Sequence, residues 1–311
     1  FGLKGYLLGG ILFFYIFDET KTTYMKTVNS LSGGKTSSYL AMNYPVDHNI
    51  FSLVCIDDEK CKPSDKNLIQ KVNDKFEKYG FLEKYGEFVA TAEDDKILKV
   101  MFDLEQMMSS EVVWVRHHSL DKWIDKKGML MNMNMRYCTT ETKIIPICEW
   151  VVNELMLKED MQPVFMNQGI RLDELERAKK GNNREYRNKI ITGRSKTGNQ
   201  NKWTEYFWAI GNYPLIYDKV SHYEIQDFWK DKDILFPEDS NCVGCFWKDV
   251  QQLRKNWDTQ PNKMKWFSDQ EKRKKHFFKP NIDYDQIKKI AIQQEFNFGT
   301  GSGCQAGFCT D

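Results

Sequence analysis

The segment from Lys26 to Pro45 constrains this chain more than any other. Residues 26 to 31 read as a short strand, Gly33 and Gly34 force a turn, and residues 35 to 44 read as a helix that Pro45 stops. A strand feeding a helix through two glycines opens a β-α-β unit, and the following residues continue it. Residues 50 to 56 form a second buried strand. Residues 65 to 79 then place Leu68, Ile69, Val72 and Phe76 at helical spacing, with Gly80 as the C-terminal cap. Strand candidates at 87 to 91, 111 to 116 and 163 to 167 alternate with helical patterns near 93 to 108 and 140 to 156. The expected fold is α/β, a doubly wound and mainly parallel sheet of about five strands with helices on both faces. Pro146 should begin, break or kink its helix, because it lacks the amide donor. Residues 181 to 202 are rich in Gly, Asn, Lys and Arg without apolar periodicity, so a long mobile loop is expected there. Ser221 with Glu224 spells a capping box for a helix through Trp229.

A chain of 311 residues suggests a main domain over 25 to 236 and a smaller unit over 237 to 311, where the pattern changes to Cys-bearing loops and polar helices. The apolar stretch from Tyr6 to Phe17 is shorter than the roughly 20 residues that span a bilayer. Asp18, Glu19 and Lys21 follow it without a small-residue cleavage pattern, so residues 1 to 24 read as a leader or upstream translation and no membrane partner is expected.

The net charge of +1 gives no global pull toward nucleic acid or anionic membrane. Two local stretches are basic: residues 171 to 202 carry ten Lys or Arg against four Asp or Glu, and residues 253 to 279 carry nine against three. Solvated helix faces and loops are the plainer reading of both, and a nucleic-acid surface is the alternative. Trp257, Trp266, Phe267, Phe277 and Phe278 interleave the second stretch at a density more typical of a core than of a stacking platform.

A glycine-rich turn between strand and helix aims several backbone N–H groups at one point, where the helix dipole also favours an anion. Ser32, Gly33, Gly34, Lys35, Thr36 and Ser37 therefore read as a phosphate loop: glycines admit close approach, hydroxyls donate, and Lys35 balances charge. A Walker A motif is excluded, because Asn29 stands where its first glycine belongs. An ordinary helix-capping turn is the bland reading.

The segment VNSLSGGKTSSYLAM resembles the pyrophosphate loop of the phosphoadenosine phosphosulfate (PAPS) reductase and N-type ATP pyrophosphatase superfamily. RYCTTETKIIP (136 to 146) resembles its R-x-C-T…K…P stretch, and NQGIRLDELERA (167 to 178) its G-I-R…E…R segment. YPLIYDKVSHYEIQDFW (213 to 229) resembles its P-L-x-x-W…D-V-W segment, with Tyr217 where tryptophan is usual. The likeness covers residues 26 to 235 and looks closest to the phage-encoded, reductase-like branch. It implies a Rossmann-like sheet that binds ATP or a PAPS-like adenine nucleotide with Mg²⁺. In that reading Lys35 and Arg171 are catalytic, and Gly169 and Ile170 line the nucleotide crevice. Asp57 lies near the nucleoside, and Arg136 and Lys143 hold the substrate's anionic end beside Cys138 and Thr139. The bland alternatives are a solvated loop for Asp57, an ion pair with Asp173 or Glu174 for Arg171, and a buried apolar role for Cys138. His117 and His118 read as structural. One departure matters: the family carries Asp where Thr36 stands, a carboxylate that arranges magnesium or the pyrophosphate leaving group. The departure bears on cleavage of the α,β bond and not on nucleotide binding.

Eight cysteines in a chain of this length do not make a disulfide scaffold and point to a reducing, cytoplasmic compartment. Cys242 and Cys245 form a C-x-x-C turn, and Cys304 with Cys309 supplies a second pair. Four thiolates suit zinc or a [4Fe–4S] cluster, and spacing does not separate the two. A redox dithiol or free cysteines are the plainer alternatives. The leading expectation is an enzyme of nucleotidyl transfer, ATP pyrophosphatase or phosphosulfate chemistry. A thiol-dependent PAPS reductase using Cys304 or Cys309 is the runner-up, although the family's E-C-G-L-H ending is missing. A non-catalytic nucleotide- or nucleic-acid-binding protein is the third.

Overall fold

The computed structural model describes residues 2–8, 11–18, 21–160, 162–179, 184–195, 198 and 200–291, with side chains from Met25 onward. Three strands come first, β1 (Gly2–Leu8), β2 (Ile11–Asp18) and β3 (Lys21–Tyr24), paired antiparallel in a sheet of their own. Among the described residues no helix is long and apolar enough to cross a membrane.

The main sheet opens with β4 (Thr27–Leu31) and β5 (His48–Ser52). A two-stranded antiparallel ribbon, β6 (Cys55–Ile56) and β7 (Ala90–Thr91), stands apart from it. β8 (Val112–Val115), β9 (Val164–Asn167), β10 (Glu185–Arg194) and β11 (Asn201–Asn212) complete the main sheet in the order β10-β11-β9-β4-β5-β8. Every neighbouring pair is parallel except the β10–β11 hairpin. The α/β expectation holds with six strands in place of five. The strand candidate at 87 to 91 is β7, which pairs with β6 outside the main sheet, and two further strands come from the hairpin, most of which replaces the loop expected at 181 to 202. The hairpin's outer half is solvated on both faces and so lacks the apolar alternation that marks a strand in sequence.

Helices Lys35–Asn43, Lys66–Lys78 and Lys96–Met108 join the parallel strands, and Gly80 takes the left-handed conformation (φ 73°) beyond the second of them. The capping box at Ser221 and Glu224 opens helix His222–Lys230. Pro146 does not end its helix. The chain stays helical from Tyr137 to Leu157, with wide π-type turns at Thr140–Ile144 and Val151–Leu157 flanking Ile145–Trp150. A proline cannot donate to the carbonyl four residues back, here that of Thr142. Ser52 Oγ donates to that carbonyl at 2.7 Å, and the wide turn makes room for the ring.

One polar feature fixes the register of the parallel strands. Asn212, Asn167, Asn29 and Asn49 stand opposite one another on β11, β9, β4 and β5. Each amide nitrogen donates to the next oxygen, at 2.6, 3.0 and 3.0 Å. Asn29 also donates to Tyr44 O at 3.1 Å, tying β4 to the end of the helix it feeds. A slip of one residue would break the whole ladder and leave buried amides unpaired.

The C-terminal helices Val250–Thr259, Pro261–Lys274 and Tyr284–Lys288 share a core with earlier segments: Trp257, Trp266, Phe267 and Phe278 pack with Val54, Ile56, Ala90, Leu120 and Ile124. The second basic stretch is thus core on one side and ion pairs on the other, including Lys263–Asp95, Lys265–Asp269 and Arg273–Asp125. Only Phe277 of its five aromatics is exposed.

His117 and His118, beyond β8, pack into an aromatic cluster. The His117 ring lies 5.0 Å from Tyr85 and 5.1 Å from Trp123, and its Nδ1 accepts the His118 N–H at 2.8 Å. Burial first, and the neighbouring His118 and Lys84 next, push the His117 pKa down to about 3; burial and Lys122 lower His118 as well. Both folded values lie below the unfolded one, so the unfolded chain takes up these protons first. Unfolding free energy should fall as pH drops below about 6.5, by at most ~1.4 kcal/mol per pH unit for each histidine. His117→Asn keeps an acceptor near Nδ1 and should flatten that slope by about one proton in urea titrations near pH 7 and pH 5. An unchanged slope would refute this assignment.

Candidate functional site

The sheet changes direction between β4 and β9: the chain steps outward through β5 and β8, then returns to β9 on the other flank. Loops diverge at the carboxyl ends of such strands and leave a crevice, the usual ligand position in open α/β sheets. Residues 32 to 34 and 168 to 171 form those two loops.

Gly33 has φ 80°, and a Cβ there would meet Ile97 Cγ2 at 2.4 Å. Its glycine is thus required by backbone conformation and by the packing of helix Lys96–Met108, rather than by the close approach of polyphosphate. Gly34 is the N-cap of helix Lys35–Asn43 and brings no capping side chain, so the first helical N–H groups lack the usual internal acceptor. Ser37 Oγ donates to Gly34 O (3.1 Å) and accepts the Ser32 N–H (3.2 Å), with Ser32 Oγ 3.1 Å away. The Ser37 hydroxyl thereby shapes the loop.

Arg171 crosses the crevice. Its Nη1 donates to Thr36 Oγ1 at 3.0 Å, and its Nε faces Asp173 (3.2 Å) and Glu174 (3.5 Å). The plainer reading's ion pairs with Asp173 and Glu174 are both present, but with 6% of its surface exposed the guanidinium is a buried cation at a helix N-terminus. The expected partners Gly169 and Ile170 precede it, but the Ile170 N–H is taken by Gln168 O (2.8 Å) and its side chain packs with Ala178 and Tyr213. Lys35 extends its ammonium to Gln226 Oε1 (2.5 Å), and Trp229 Nε1 donates to Lys35 O (2.9 Å). Lys35 lines an open groove of about 610 Å³ with Gln226, Trp229, Lys230 and Phe236. That volume falls in the range of small-molecule sites.

The remaining expected residues lie elsewhere along the carboxyl edge. Asp57 follows β6, where it accepts from Ser119 Oγ (2.6 Å) while its own N–H donates to Asp121 (2.8 Å). Arg136 and Lys143 line a second cavity of about 40 Å³, together with Cys138, Cys242 and Cys245. It has room for a few atoms and not for a nucleotide. The Lys143 ammonium meets Glu93 Oε1 at 3.0 Å in the interior, and burial pushes the Cys242 thiol pKa up. Gly244 keeps the C-x-x-C turn against Phe267, which a Cβ would strike at 2.4 Å. Residues 93 to 97 link the two places, with Glu93 on Lys143 and Ile97 on Gly33.

Cys304 and Cys309 lie outside the described residues. Among the described residues no group of three or more His, Cys, Asp or Glu side chains is arranged as a metal site. Glu93 and Gln226 escaped sequence reasoning for want of a local signal, and Cys138 was not linked to the other cysteines. Glu93 sits in an acidic run that resembles a solvated helix start, and Cys138 joins the other thiols only through the fold. No family model, no curated protein and no solved structure matches the chain.

Proposed function

We propose that the protein binds an adenine nucleotide by its phosphates at the switch point and acts in nucleotidyl transfer or related phosphosulfate chemistry. The observation that carries this reading is the buried Arg171 guanidinium on Thr36 Oγ1 at the start of helix Lys35–Asn43. A polyphosphate there meets backbone N–H groups, the helix dipole and a cation already desolvated, a combination that is worth more in the interior than in water. Lys35 exchanges Gln226 for a phosphate oxygen, and the groove it lines receives the rest of the nucleotide. In the transfer reaction an acceptor attacks the α-phosphorus and pyrophosphate leaves, with Arg171 and Lys35 taking up the charge. Mg²⁺, when bound, would share that charge.

One observation favours a second reading, binding without cleavage. At the position where the resembling family carries Asp stands Thr36, whose hydroxyl is held by Arg171. Calorimetric titration with ATP and a PAPS-type nucleotide, beside a pyrophosphate-release assay with Mg²⁺, separates the two. Binding with release establishes the transfer reading, and binding without it the second. Absence of affinity for either nucleotide in folded protein ends both. No step runs through a metal at the cysteines. Whether Cys242 and Cys245 join Cys304 and Cys309 around zinc or a [4Fe–4S] cluster is read directly from metal analysis of purified protein.

A further inference from the structure

The β10–β11 hairpin does more than close the sheet. β11 pairs with β9 only from Ala209 onward, so its preceding eight residues, Asn201 to Trp208, reach past β9 with β10 as their one strand partner among the described residues. At about 3.3 Å per residue the overhang is ~26 Å long. Its base is anchored by Tyr186, Ile190 and Trp208 in the main core, while the tip is open on both faces. β11 runs parallel to β9, so the tip points away from the carboxyl edge that holds the nucleotide crevice.

The register sets one face of this ribbon: Arg194 opposite Asn201, Ile191 opposite Trp203, Lys189 opposite Glu205, and Arg187 opposite Phe207. Trp203 is 56% exposed and Ile191 46%, two large apolar groups side by side in water. The Arg187 guanidinium already lies 4.7 Å over the Phe207 ring. Residues 187 to 204 carry five Lys or Arg and no Asp or Glu. Glu185 and Glu205 flank the run; Glu185 pairs with Arg187 and Glu205 faces Lys189, which leaves the outer end cationic, with Arg194 on the Trp203 face and Lys202, opposite Gly193, on the other. The other basic stretch behaves in the opposite way, with its aromatics buried and its cations paired within the fold.

We infer that the outer part of this hairpin is a binding surface for single-stranded nucleic acid, with Trp203 as a stacking platform, Arg194 as a phosphate contact on the same face and Lys202 as one reached around the ribbon's other face. Cations interleaved with an exposed indole suit a strand whose bases have free faces, and a duplex keeps those faces stacked. A second copy of the chain is a poorer occupant, because antiparallel docking of two such edges sets like charges against each other.

The test is anisotropy titration of the full chain against a labelled mixed-sequence strand of roughly 20 nucleotides and the matching duplex, at about 50 and 200 mM salt. The expected result is salt-sensitive binding, tighter for the strand. Trp203→Ala should weaken it about tenfold, and the Arg194→Glu, Lys202→Glu pair should weaken it further and lower the salt slope by about 1.4. Melting temperature and ATP affinity of the variants should match the parent, since the tip lies away from the core and the crevice. Variants that hold the strand as the parent does overturn the proposal. So does a duplex bound as tightly as the strand, or light scattering that shows a dimer dissolved by Trp203→Ala. Because the readout is strand affinity, loss of the nucleotide reading would leave it standing.

Discussion

Arg171→Ala should weaken ATP binding by between about tenfold and a hundredfold, the range that a charge-assisted hydrogen bond to a phosphate supports at 1.5–3 kcal/mol. The effect should exceed that of Lys35→Ala, for a physical reason. Arg171 is desolvated before ligand arrives, held by Asp173, Glu174 and Thr36, whereas Lys35 must leave Gln226 and reorganise. Arg171→Lys keeps the charge but loses the planar fork that spans Thr36 and the two carboxylates, so it should recover little. Thermal melts control for folding, because removing the guanidinium also leaves Glu174 facing Arg177 alone. Titration calorimetry on the three variants decides the matter. If Lys35→Ala were the larger loss, charge delivery would belong to the groove and not to the crevice.

How much of this was legible from residues alone divides along local and non-local lines. The strand-turn-helix unit at residues 26 to 44, the cap at Gly80 and the box at Ser221 are written in neighbouring residues, and all three are present in the fold. The family resemblance implied that Arg171 shares a site with the Ser32–Ser37 turn, and the two do meet, at Thr36 Oγ1. What stayed hidden depends on contacts across the sequence. Ile97 explains Gly33 from a distance of 64 residues, and Ser52 explains why Pro146 leaves its helix unbroken. The hairpin was misjudged because a solvated strand has the composition of a loop. Its pairing partner, and not its own pattern, makes it a strand.

Asn29 shows the same limit and leads to a second large effect. In the sequence it served only to exclude a Walker motif, yet it is the central rung of the asparagine ladder, donating one amide hydrogen to Asn49 and the other to Tyr44 O while its oxygen accepts from the Asn167 amide. Asn29→Leu keeps the branching and the number of side-chain heavy atoms and should still destabilise the protein by about 3–5 kcal/mol, because it leaves the Asn49 oxygen, the Asn167 amide and a helix-end carbonyl without their partner, at 1–3 kcal/mol for each group that water cannot reach. Asn212→Ala removes a single bond at the outer end of the ladder, where the residue is half-buried, and should cost about 1 kcal/mol. The ratio carries the argument. Urea titrations of both variants test it, since bonds of equal and independent worth would give losses in proportion to bond number, near three to one, whereas a desolvated, mutually polarised ladder gives a larger ratio. The double variant Asn29→Leu, Asn167→Leu should then be less damaging than the sum of its parts, because the second change removes one of the orphans that the first created. Strict additivity would show that the rungs act separately and that strand register rests on the apolar core instead.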